Sequence, residues 1–98
     1  MTWEEKLAAM QALAATEIAM RKPGDWYCHM HAEIGGNGML CGVISSKATP
    51  QDAVEDVWRE VSELPTGRYL VMNAHGSNRR AVRWNGYMWA DVEEEVRA

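Results

Sequence analysis

The sequence predicts an α+β domain: a five-strand antiparallel sheet with one helix packed across a face and an N-terminal helix docked beside it or mediating a dimer. Three observations carry this. Apolar residues recur at three- and four-residue steps in two segments, 2–22 and 50–64. Period-two alternation replaces that spacing from Asp25 to Ile34 and again toward the C-terminus. Gly35-Gly36-Asn37-Gly38 and Asn85-Gly86 then mark tight reversals between alternating segments. The resulting order is α-β-β-α-β-β-β, in one domain spanning 1–98.

The first segment reads as a helix from Thr2 to Lys22. Thr2 and Glu5 have capping-box spacing, and Pro23-Gly24 stops the helix. Trp3, Leu7, Met10, Ala14 and Ile18 form one apolar stripe, widened by Leu13 and Met20. Glu4 and Glu5 at the start, with Arg21 and Lys22 at the end, complement the helix dipole. The stripe packs either on the domain core or on a second copy of the chain.

From Asp25 to Ile34, Trp26, Cys28, Met30, Ala32 and Ile34 share one face, and Tyr27, His29, His31 and Glu33 the other. With Gly36-Asn37 as the loop, Ile34 pairs with Met39, Ala32 with Cys41 and Cys28 with Ser45. Met39, Cys41 and Val43 then extend the core side, and the reverse face joins Tyr27, His29 and His31 to Leu40 and Ile44. That reverse face is half apolar, as binding faces are.

Thr49-Pro50-Gln51-Asp52 starts the second helix, with Thr49 as cap, Pro50 in the first helical position and an acid in the third. Ala53, Val54, Val57, Trp58, Val61 and Leu64 form its buried stripe. Its outer face carries Asp52, Glu55, Asp56, Glu60 and Glu63 against Arg59. Arg68 to Ala74 is a third strand, followed by the loop His75-Gly76-Ser77-Asn78. Arg79–Trp84 and Tyr87–Val92 close a hairpin around Asn85-Gly86, the strongest short hairpin signal because both residues tolerate positive φ. That turn sets Trp84 opposite Tyr87, Val82 opposite Trp89 and Arg80 opposite Asp91. The tail 93–98 frays.

Bulk properties narrow the functional classes. At 98 residues the chain holds one domain, and 47% hydrophobic with 24% charged residues is ordinary globular composition. A net charge of −4 opposes unaided binding to a phosphate backbone. With no Phe, five Trp and seven Met supply the large apolar volume, a usage that leans toward interaction surfaces. Two cysteines without a signal peptide fit reduced thiols in the cytoplasm, and no apolar run nears the roughly 20 residues a membrane helix needs.

No catalytic constellation emerges, so the expectation is a protein without enzymatic activity, cofactor or metal. His29 and His31 share a face that excludes Cys28 and Cys41, and the thiols sit about 13 Å apart along the strands. A two-histidine metal site completed by His75 or Glu33 is the competing reading. His75-Gly76-Ser77 has no acid placed by sequence to orient the imidazole, and the Gly-rich turn leads into a strand rather than a phosphate-binding helix. Arg79, Arg80 and Arg83, interleaved with Trp84, Tyr87 and Trp89, offer stacking and charge for single-stranded nucleic acid. Against this, the aromatic residues also fit a cross-strand core cluster. The acidic face Asp52, Glu55, Asp56 and Glu60 reads either as solvated helix surface or as a patch for a cationic partner.

Thr49-Pro50, Ala53-Val54, Trp58, Leu64-Pro65, Gly67-Arg68-Tyr69, Arg79-Arg80-Ala81-Val82-Arg83-Trp84-Asn85-Gly86, Met88-Trp89 and Asp91-Val92 occur in order. Together with Gly24-Asp25-Trp26-Tyr27 they resemble a family of small uncharacterised proteins encoded by bacteriophages and prophages, over roughly residues 24–94. The resemblance implies a phage accessory product in the bacterial cytoplasm that binds and blocks a host protein, such as a defence or CRISPR component. The expected contacts are the acidic helix face and the face bearing Tyr27, His29, His31, Leu40 and Ile44. Nucleic-acid binding by the terminal hairpin and sequestration of a small ligand are the alternatives.

Overall fold

The computed structural model describes residues 1–73 and 78–92. The expected roles of His75 and its loop, and of the 93–98 tail, lie outside the described residues. Along the chain run α1 (Trp3–Leu13), β1 (Thr16–Lys22), β2 (Asp25–Gly36), β3 (Leu40–Lys47), α2 (Pro50–Ser62), β4 (Gly67–Met72), β5 (Arg80–Trp84) and β6 (Trp89–Asp91). The class is α+β, and every strand pairing is antiparallel.

The sheet has six strands rather than five, because the segment read as one helix divides. Thr2 caps α1 with the full capping box, but Ala14 is already extended, at φ −158° and ψ 164°. Residues 16–22 instead pair with β2, from Thr16 opposite Met30 to Lys22 opposite Asp25. Ile18 satisfies either period, four residues after Ala14 or two after Thr16, so the stripe alone could not choose between them. Pairing with β2 decides it, since it satisfies the backbone and suits β-branched Thr16 and Ile18. Pro23-Gly24 is therefore a hairpin turn, with Gly24 at φ +76°. Arg21 and Lys22 sit at its base, far from the end of α1.

β3 departs from the expected register near its turn. Cys28 does pair with Ser45, but Ile34 pairs with Leu40 and Glu33 with Cys41. His31 and Ala32 oppose Gly42 alone, a β-bulge. Gly42 adopts φ +52°, and β3 changes face there. Leu40 consequently packs against the core, while Met39 is 67% exposed and Cys41 is exposed. The expectation that Cys41 and Met39 face inward and Leu40 outward is thus reversed.

The terminal hairpin also shifts. Trp84 pairs with Trp89 and Val82 with Asp91, leaving Asn85-Gly86-Tyr87-Met88 as a four-residue connection. The Asn85 side-chain Oδ1 accepts from the backbone N–H groups of Tyr87 and Met88, at 2.7 and 2.8 Å. This side-chain-closed turn replaces the two-residue reversal and lets the Trp84 and Trp89 rings meet at 4.9 Å. A shift of two residues preserves the faces.

Both helices lie on the same side of the sheet. Ala53, Val54, Val57, Trp58 and Val61 of α2 are buried over β2 and β3, and α1 packs on α2. Met10 and Leu13 are buried, with Trp3 and Leu7 packed beside them, so the α1 stripe is used within the fold. Trp84 and Tyr69 are the largest fully buried side chains, and Trp58 meets Trp84 edge-on at 6.0 Å. No helix among the described residues is long and apolar enough to cross a membrane.

Candidate functional site

The side of β1–β3 away from the helices is assembled by strand pairing. Glu17 lies directly opposite His29, which lies opposite Ile44 on its other edge. One row along, Ala19 faces Tyr27 and Tyr27 faces Ser46. His31 follows His29 on the same face by alternation. Tyr27, His29, His31 and Ile44 are therefore brought together as the sequence implied, and Leu40 is not.

The chemistry of this face is specific. The His29 and His31 rings stand 3.7 Å apart between centroids, tilted by 39°. Glu17 Oε1 lies 3.1 Å from His31 Nε2, and donor atoms of Glu17, His29 and His31 all fall within 4.8 Å of one another. Partial burial lowers the His29 pKa, and the neighbouring His31 lowers it further against the opposing pull of Glu17. Arg21 stacks 5.4 Å from the Tyr27 ring centre and donates to Ser46 and Asp25. Ile44 is 53% exposed beside them. Glu17 was hidden from sequence reasoning because its segment reads as helix; the alternation Thr16, Ile18, Met20 was the available signal.

The other expected contacts fare differently. On α2, Glu55 forms an ion pair with Lys6 of α1, and Asp56 accepts hydrogen bonds from Ser45 and Arg59. The Ser45 hydroxyl holds Asp56 below the usual carboxylate range, with Lys47 and Arg59 adding to it and burial opposing. Asp52 and Glu60 are exposed. The acidic row is thus partly neutralised within the fold, because α1 and β3 supply partners the linear sequence does not show.

In the terminal hairpin Trp84 is buried, and Trp89 packs against the core with its ring 5.7 Å from Tyr69. Of the three expected stacking rings, Tyr87 is 64% exposed, Trp89 is half-buried and Trp84 is buried. Arg80 Nε sits 3.2 Å from Asp91, and its guanidinium also donates to the carbonyls of Ala12 and Leu13. Arg79 and Arg83 are exposed and engaged in interactions of their own. The hairpin is built first as a core element.

Cys28 is buried, which pushes its thiol up to about 11, and Cys41 lies exposed on the opposite face. A cavity of about 430 Å³ opens between α1 and the β5–β6 hairpin, walled by Ala9, Ala12, Leu13, Arg80, Tyr87 and Trp89. Searches against family models, curated proteins and solved structures return no match.

Proposed function

We propose that this chain is a binding protein that docks the open face of β1–β3 onto a host protein and inhibits or redirects it. The observation that supports this is the placement of both helices on one side of the sheet, while Ile44, Tyr27, His29 and His31 cluster on the other. An aliphatic and an aromatic side chain flanked by imidazoles and Arg21 combine an apolar centre with a polar margin, the composition of a protein-binding patch. The resemblance to bacteriophage and prophage products supports a target in the bacterial cytoplasm, with a defence component as the leading class. The half-neutralised acids of α2 make that helix a secondary contact at most, through Asp52 and Glu60. The aromatic platform needed for single-stranded nucleic acid is reduced to Tyr87 and part of Trp89, so the hairpin reading is the weaker one.

The test is affinity capture from bacterial lysate with the intact protein and with Ile44→Asp and Tyr27→Ala variants, followed by mass-spectrometric identification. The expected result is a protein retained by the wild type and lost from both variants. Equal retention by all three would end the assignment to this face.

A further inference from the structure

We propose that Glu17, His29 and His31 form a binding site for a single divalent transition-metal ion of the zinc class. The inference goes beyond the docking reading and does not depend on it.

The donor set selects the ion. Two imidazole nitrogens and one carboxylate oxygen suit zinc, copper, nickel or cobalt, whereas calcium and magnesium prefer oxygen-only shells. Three protein ligands leave an open coordination position, here on the side of the sheet opposite both helices.

The spacing fits. Around a tetrahedral ion with bonds of about 2.0–2.2 Å, neighbouring donor atoms stand about 3.3–3.5 Å apart. The three groups already have donors within 4.8 Å of one another, and the Glu17–His31 edge is 3.1 Å. The remaining edges close from at most 4.8 Å to that spacing.

The scaffold is equally suited. His29 and His31 are two residues apart on one strand, which points them to one side, and Glu17 is the cross-strand partner of His29. Paired strands hold such a set more firmly than a loop would.

The exposed thiol of Cys41 is a competing soft ligand, so the experiment uses Cys41→Ser as its background. Zinc binding is measured by isothermal titration on this protein, on His29→Ala and on Glu17→Gln, with cobalt absorption reporting ligand type. The expected result is one zinc per chain, a tenfold or greater loss of affinity in each variant, and cobalt bands characteristic of nitrogen and oxygen ligands. Circular dichroism confirms that the substitutions leave the fold intact. Absence of binding at submillimolar zinc, or equal affinity in all three proteins, overturns the site. Neither outcome bears on partner capture, because the titration contains no partner.

Discussion

Ser45 is a polar residue buried beside the core side chains, and its hydroxyl donates to Asp56 at 2.7 Å. This bond joins the inward face of β3 to the side of α2 and favours the ionised carboxylate. Because the folded pKa of Asp56 is depressed, its contribution to stability is fully present above the unfolded value, about 4. It is lost as the pH falls through the folded pKa. Ser45→Ala is therefore expected to cost about 1 kcal/mol near neutrality and to flatten the acid limb of the stability curve. Urea unfolding of both proteins between about pH 6 and pH 3 checks this, and parallel acid limbs would refute it. The sequence placed Asp56 in an acidic row and Ser45 opposite Cys28, yet their contact depends on how α2 crosses the sheet. Side-chain alternation along a strand is local, and helix orientation across it is not.

At the level of elements, the strongly periodic segments were legible. The α2 stripe from Ala53 to Val61, its Thr49 cap and the inward and outward faces of β2 are as the spacing requires, while Leu64 packs on the core from just beyond the helix end. The failures lie where one local pattern admits two answers, as at Thr16–Lys22, or where a single residue changes the pattern, as at Gly42. A lone glycine within a strand is a signal for a bulge, and here it decides which of Leu40 and Cys41 turns inward. A Cβ at Gly42 would meet nothing within 4 Å, so only its positive φ opposes substitution. Gly36 is more constrained: at φ +133° its Cβ would stand 2.8 Å from the Arg68 carbonyl oxygen. Gly42→Ala is expected to cost about 1 kcal/mol, with Gly42→Asn recovering part of it. Gly36→Ala should cost about 3 kcal/mol or more, because β4 must move away from β2. Denaturant unfolding orders these variants; a larger effect at Gly42 would contradict the pairing described.

Across the whole molecule, Arg80 connects distant parts. Its guanidinium reaches the last carbonyls of α1 from β5, donating to Leu13 at 2.8 Å and Ala12 at 3.0 Å. The last turn of α1 has no basic residue, so Arg80 supplies the missing positive charge from elsewhere in the chain. Arg80→Met is expected to lower stability by about 2 kcal/mol and to raise hydrogen exchange in α1 more than in α2. Uniform exchange in both helices would argue against this tie. The antiparallel α+β plan was readable from periodicity, whereas the Arg80–Asp91 ion pair forms across a register two residues away from the expected one, with Asp91 opposite Val82. Docking of α1 on the domain was one of two alternatives its stripe allowed, but its tie to Arg80 was not legible, because that contact joins residues 67 apart in sequence.

β2 is flanked along one edge by β3, while β1 and β4 lie end to end along the other. Every alternate side chain from Cys28 to Ile34 is buried. A slip of β2 by one position would bring His29, His31 and Glu33 inside and expel Cys28, Met30, Ala32 and Ile34, against three neighbours simultaneously. Mispaired arrangements are thereby penalised threefold, so this single strand acts as the reference against which the rest of the chain is aligned.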